Sequence, residues 1–338
     1  MPESPLWISE ADVVSMMDFP SAIDALERGL LAEAKGHATN MVKTHVEWDG
    51  HATLHAIGAA FPQDGYVGTK TWAHTEGGAT PLLILFDSHT GALQAIIEAF
   101  ALGQMRTGSA SGVATKWMAA PSADEFAIIG TGKQAMTQVA AVIAVRPIQR
   151  IRVFGPNQER RQAFAERVRK AFDLPVVAAN SIAEAVDGAT VVTVVTRATE
   201  PILTAGMLTR GAHINTVGAI VPSRAELAGD VLARASLIVA DSVPQARKLS
   251  RELMDFFRDD AGGWARVRPL SSVVEARAPR APSDDLTVFK ALGMGISDLA
   301  LGIELYRTAV TSHLGRAFEH PHKMPPRLHN KKQSLTGA

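Results

Sequence analysis

The chain has 338 residues, no cysteine, and 34 basic against 34 acidic residues, so its formal net charge is zero. A neutral balance gives no electrostatic reason to bind nucleic acid or a membrane surface, and the missing thiols exclude disulfides and cysteine catalysis. No apolar run approaches the ~20 residues of a membrane span, and no basic-then-apolar leader opens the chain, which predicts a soluble, cytoplasmic protein long enough for two domains.

In chain order, helices come first. Ser9 with Asp12, and Ser21 with Asp24, match the capping spacing of a helix start. Ile23, Leu26, Leu30 and Ala34 then recur at helical spacing, and Gly36 can close that helix. From residue 40 to 98 short β-like runs follow one another ("MVKTHVEW", "ATLHAIGA", "YVGTKTWA", "PLLILFD", "ALQAIIEA"). Turn signals such as Asp49-Gly50, Asp64-Gly65, Gly77-Gly78 and Thr90-Gly91 separate them. There is no room for crossover helices, so a mostly antiparallel sheet is expected. Residues 99–118 read as a helix of small side chains.

From residue 125 the rhythm alternates. "EFAIIG", "IRVFG", "PVVAA", "TVVTVV", "AHINTVG", "SLIVAD" and "DLTVFKALG" read as strands. Helices are expected at 133–145, 158–172, 181–187, 225–235 and 243–256. Buried strands alternating with helices predict a parallel sheet covered on both faces. The helix "ISDLALGIELYRTAV" returns the chain to the first domain, and the polar, Pro-rich tail from 316 reads as a frayed, basic terminus. The expected fold class is α/β: a doubly wound Rossmann domain at 119–295, and an α+β substrate and dimerisation domain from 1–118 and 296–338.

"IIGTGKQAMTQ" carries the first chemical signal. Gly130, Gly132 and Ala135 fit G-x-G-x-x-G/A between a strand and a helix. The first glycine permits a tight turn, the second lets a pyrophosphate approach the backbone, and the alanine lets helix and strand pack closely. The helix N-terminus then faces the phosphates, with Thr131, Lys133 and Gln134 in the turn. An NAD site places Asp or Glu about 20 residues on, at the end of the second strand. Here Gly155, Pro156 and Asn157 stand there, with Arg160 and Arg161 following. Missing acid and nearby guanidiniums suit a 2′-phosphate, so NADP(H) is favoured over NAD(H). Both arginines could instead lie on the solvated face of the next helix. Thr196 and Arg197, at the end of "TVVTVVT", stand where a doubly wound sheet lines its cofactor crevice.

"VGTKTW", "LFDSHTGALQAIIEA", "QMRTGSASGVATKWMA", "GTGKQA", "GAHINTVGA" and "VFKALGMGISDLA" occur in an order that resembles the ornithine cyclodeaminase/mu-crystallin family. The resemblance spans about residues 40–312. It implies hydride transfer between a nicotinamide and C2 of a small imino or amino acid, and a homodimer built through the substrate domain. By motif, Lys70 and Arg106 match cations of the family's site. Lys43 falls where an arginine is expected, and lysine lacks the planar bidentate fork. Lys70 is the candidate proton donor, its pKa lowered by burial and by Arg106. The resemblance also places Thr107, Val217, Gly218 and Lys290 near the cofactor, with Ala291 replacing the usual serine. His55 and Trp72 are candidates for shaping the substrate pocket, although Trp72 could equally pack in a core or dimer interface.

One departure separates the family's branches. Where cyclodeaminases and alanine dehydrogenases carry an aspartate after "N-x-x-G", this chain has Ile220. Isoleucine neither pairs with an ammonium nor moves a proton. That favours the ketimine reductase branch over ornithine cyclodeamination, whose proton-coupled steps need amine handling. A cyclodeaminase-type lyase and a nucleotide-binding protein with little catalysis remain open alternatives. No metal site is expected, since His320 and His322 flank Pro321 without partners.

Overall fold

The computed structural model describes residues 4–50, 52–260, 262–278 and 280–328. A nine-stranded sheet holds β1 (Leu6–Ile8), β2 (Thr39–Asn40), β3 (Thr44–Trp48), β4 (Ala52–Phe61), β5 (Tyr66–Thr75), β6 (Gly78–Ala79), β7 (Leu82–Asp87), β8 (Leu93–Glu98) and β17 (Arg316–Ala317). Its main path runs β17-β1-β8-β7-β5-β4-β2, with β3 on β4 and β6 on β5. The pairs from β2 to β8 are antiparallel, as the short spacing predicts. β1 went unread because three residues, "LWI", carry no period. It pairs parallel to β8 and antiparallel to β17. The tail therefore does not fray at 316, although Lys331 and Lys332 lie outside the described residues.

The second sheet is wholly parallel, ordered β11-β10-β9-β12-β13-β16-β14-β15. Its strands are β9 (Glu125–Ile129), β10 (Arg150–Phe154), β11 (Val176–Ala178), β12 (Val191–Val194), β13 (His213–Thr216), β14 (Ala235–Ala240), β15 (Val267–Pro269) and β16 (Leu286–Lys290). This is the expected Rossmann-type arrangement.

Helices α1 (Glu10–Met16), α2 (Phe19–Ala34) and α3 (Phe100–Met118) precede it, and α4 (Ala135–Ile143), α5 (Gln158–Phe172) and α6 (Ile182–Val186) follow its first strands. α7 (Gly229–Arg234), α8 (Val243–Leu249), α9 (Arg251–Phe256) and α10 (Leu270–Ala276) lie between its later ones, and α11 (Gly295–Ser312) returns to the first sheet. Ser9 and Asp12 form the expected capping box. The second cap is Asp18 rather than Ser21. Asp18 accepts the Ser21 N–H at 2.9 Å, and Pro20 fits the first turn that follows. The helix expected from 225 begins only at Gly229, because the segment before it turns Glu226 inward. The helix expected over 243–256 breaks at Ser250, which ends α8 and caps α9.

One apolar cluster joins the two halves. It runs from Ile23, Leu26 and Leu30 of α2, through Leu102 and Val113 of α3 and Leu299 of α11, to Val239 and Phe289 of the parallel sheet. Buried polar bonds fix α3 to that sheet: Asn215 donates to Thr115 Oγ1 at 3.0 Å, and Thr287 to the Met118 carbonyl at 2.8 Å. α11 starts in direct backbone contact with β4, since a Cβ on Gly295 would collide with the Gly58 carbonyl. Gly295→Ala is therefore expected to destabilise the protein by about 3 kcal/mol, the upper end for overpacking, in urea unfolding. A loss under about 1 kcal/mol would show that this contact relaxes.

Candidate active site

The glycine turn follows β9, at the point where strand order reverses between β9 and β12. Gly130 has φ +119°, and a Cβ there would strike the Val195 carbonyl at the end of β12. Its N–H donates to the Phe154 carbonyl at 2.8 Å. Gly132 has open space where a Cβ would stand, so a ligand can reach the backbone. No side chain caps α4, and although the Ala135 N–H donates to the Gly132 carbonyl at 3.1 Å, the end of the helix still presents its positive dipole to an anion.

A cavity of about 840 Å³ opens over this turn. Thr131, Gly132, Lys133 and Gln134 line it on one side, and Gly155 and Arg160 beside the end of β10. Thr196 and Arg197 after β12, Val217 and Gly218 after β13, and Thr107 from α3 complete the wall. The glycine cradle, the uncapped helix end and the flanking cations fit a dinucleotide. Four of the cofactor candidates lie outside the lining. Ala135 is buried, where helix and strand meet. Asn157 caps α5 by accepting the Arg160 N–H at 2.8 Å. Arg161 is buried and donates to the Gly155 carbonyl at 2.8 Å, so it braces the β10 turn from behind.

Lys290 is also buried, in an ion pair of 2.7 Å with Glu252. Glu252 accepts the Glu226 N–H at 2.8 Å. Glu226 in turn accepts from Thr196 N at 2.6 Å, Thr216 Oγ1 at 2.9 Å and Gly218 N at 2.9 Å. Burial raises the Glu226 pKa, while Lys290 and the Thr196 donors work against that rise. This chain of buried charge fixes the backbone of the cleft wall.

A second charge cluster meets the cleft at Arg106, which also lines it. Lys70 on β5 is 4% exposed and donates to Asp298 of α11, which is fully buried. Arg106 Nε lies 3.4 Å from the same carboxylate oxygen. Burial lowers the Lys70 pKa to about 8, against the opposing pull of Asp298 and with help from Arg106 and Lys43. Lys43 is half-buried, and its pKa is lowered first by burial and then by Arg106. Lys43 and Lys70 thus respond to one shared group of charges, although Lys43, Lys70, His55 and Trp72 do not line the dinucleotide cavity. His55 stacks between His45 and Trp72, at 5.5 and 4.8 Å between ring centres. Lys70 Nζ stands 5.2 Å from the Trp72 ring centre. The bank of rings therefore adjoins the buried lysine.

Sequence reasoning passed over Asp298, Asp241, Glu226 and Arg224. Asp298 had a signal: it is an acid in the apolar first turns of a helix, between Ile296 and Leu299. Asp241 is buried at the end of β14 and accepts the N–H groups of Leu292 and Gly293 at 2.7–3.0 Å. Burial pushes its pKa up and those donors push it down. Gly293 (φ +89°) then packs on Arg106, where a Cβ would stand 2.7 Å from Nη1. Arg224 and Ile220 both line the cleft, Ile220 38% exposed. Among the described residues no group of three or more His, Asp or Glu could hold a metal, and no helix is long and apolar enough to cross a membrane.

A parallel Rossmann-type sheet with a glycine cradle, joined to a buried lysine and a cleft-lining arginine, defines an NAD(P)-dependent oxidoreductase. The chain belongs to the ornithine cyclodeaminase/mu-crystallin family, whose model matches residues 5–312. A Delta(1)-pyrroline-2-carboxylate reductase of Bacillus cereus is 29% identical over 294 residues, covering 86% of this chain and 88% of the relative. The solved Thermococcus litoralis Delta(1)-pyrroline-2-carboxylate reductase, in complex with NADH and L-proline, superposes with a TM-score of 0.85 at 27% identity. That match covers 93% of this chain and 100% of the other. An archaeal alanine dehydrogenase dimer with bound NAD also gives 0.85, at 25% identity, over 94% and 99% of the two chains.

The stacked histidine supplies a direct check. Burial, then the nearby Lys43, His45 and His74, lower the His55 pKa to about 4. Its imidazole is expected to stay neutral from pH 5.5 upward in nitrogen-15 NMR. A midpoint near 6.5, the ordinary histidine value, would mean that the stack is open to solvent.

Proposed function

We propose that this protein transfers hydride between a nicotinamide dinucleotide and C2 of a small imino or amino acid, with imine reduction as the direction the site favours. The observation that carries this reading is the buried Lys70–Asp298 pair, which meets the dinucleotide cleft through Arg106 in its wall. Family membership adds relatives named for this chemistry. When bound, the dinucleotide supplies the hydride.

The chain's own residues do the rest. Arg106, with Lys43 as a second cation, offers charge to the substrate carboxylate. Lys70 holds a proton at Nζ for the imine nitrogen. A donor with a pKa of about 8 is mostly charged at neutral pH and still gives up its proton readily. Ile220 in the wall leaves no acid at that position to handle a primary amine, which suits a cyclic secondary imine. With Gly155, Pro156 and Asn157 rather than an acid at the end of β10, and Arg160 and Lys133 lining the cleft, the site supports NADPH over NADH. β3 supports a homodimer, because it is exposed along its length and turns out Val46 and Trp48 beside exposed Leu54 of β4.

Purified protein is expected to consume NADPH with a five- or six-membered cyclic imine 2-carboxylate. Ammonia release from L-ornithine with no net change of cofactor would replace this reading with cyclodeamination. Lys70→Met should abolish reduction while dinucleotide affinity stays within about twofold, and wild-type turnover would remove Lys70 from the mechanism. The reductive kcat/KM should fall as pH rises through about 8, because the required form of Lys70 is the protonated one. Arg160→Ala should raise the KM for NADPH about tenfold, the value of one charge-assisted bond, and leave that for NADH unchanged. An equal effect on both cofactors would argue against a 2′-phosphate contact.

A further inference from the structure

Lys70 sits in a place that opposes its charge. It is 4% exposed, and two more cations, Arg106 and Lys43, act on it from α3 and from the segment before β3. Its cross-strand neighbours are Ile57 on β4 and Leu83 on β7, which offer no compensation. Further along the sheet, His55 stacks on Trp72 and is neutral at working pH. From α11 comes one group of opposite sign, Asp298, fully buried in the first turn, where the helix dipole favours an anion. Asp241, the other buried acid near Arg106, is committed to the backbone of Leu292 and Gly293.

We propose that Asp298 is a positioning residue that keeps the Lys70 ammonium charged and aimed, and so sets the direction in which the site works best. Asp298 does not line the cleft, so it acts through Lys70 and Arg106. Its one oxygen is shared by both cations, while the other has no hydrogen-bond partner among the described residues. With the carboxylate neutralised, burial and two like charges act on Lys70 unopposed, and the lysine loses its proton at lower pH. Reduction needs the ammonium as donor, whereas oxidation of an amine needs the free amine as acceptor. Removing the Asp298 charge therefore weakens reduction and spares oxidation. This inference rests on the imine-reductase reading and on Lys70 as the proton donor.

The test compares wild type, Asp298→Asn, Asp298→Ser and Asp298→Glu as full-length enzyme, with pH profiles of kcat/KM in both directions. Dinucleotide binding by fluorescence reports whether each variant is folded, and the smaller Ser variant serves if Asn does not fold. The neutral variants are expected to move the alkaline limb of reduction down by at least about one pH unit, with rate recovered at low pH. The acidic limb of oxidation should move down with it. Asp298→Glu, which keeps the charge, should leave both limbs near their wild-type positions. A uniform loss of rate with the limbs in place would overturn the proposal and leave Asp298 a packing residue. Limbs displaced equally by Glu and Asn would overturn it as well. Lys70→Met run in parallel separates the two readings. If it retains turnover, the assignment of Lys70 has failed; if it is inactive while the Asp298 profiles stay put, only the role of Asp298 has failed.

Discussion

A carboxylate removed from water next to two cations organises this molecule. An unpaired buried charge is so costly that Asp298 and Lys70 are tolerable only as partners, with Arg106 reaching the same carboxylate from the cleft wall. They arrive from strand β5 and helix α3 in the first 118 residues, and from α11 far along the chain. Bringing them together demands that α11 lie flat on the first sheet. The contact between Gly295 and the Gly58 carbonyl allows that approach. Asp241 extends the same logic to the other side of Arg106, since it holds the backbone turn whose bare glycine backs the guanidinium.

The cleft follows from topology. Strands β10 and β11 run outward from β9 in one direction and β12 and β13 in the other, so their connections diverge and leave a crevice. Its walls are loops, and loops need their backbone groups satisfied if they are to hold a shape. The Lys290–Glu252–Glu226 chain does this for the wall at Thr196 and Gly218, using charges rather than regular structure. Two buried charge networks thus flank the cavity. One adjoins the proposed reacting centre, and the other braces the cofactor side.

Much of this was legible in the sequence. Alternating strands and helices after residue 125 announce a parallel sheet, and the glycine turn falls where that sheet places its crevice. Local signals worked where the determinant is local, as at the capping box of Ser9 and Asp12. They failed where a residue's partner lies far along the chain. Glu226 and Glu252 read as ordinary helical acids, yet they cut short one expected helix and follow a break in another because buried N–H groups elsewhere need acceptors. Arg160 and Arg161 are neighbours of one chemical type. Only the helix's rotation sends one to the cleft and the other behind it. Asp298 was passed over for the same reason: no spacing rule connects it to a lysine 228 positions earlier.

That separation bears on how the protein is made. Chains emerge from the ribosome N-terminus first and fold domain by domain. The parallel sheet is built from one continuous stretch, β9 to β16, and can close as soon as that stretch is free. The first sheet cannot: its strand β1 waits for β17, and Lys70 waits for α11 to bring its counter-charge. During synthesis the half of the molecule begun first is therefore completed after the parallel sheet, and Lys70 acquires its counter-charge only once α11 has been made.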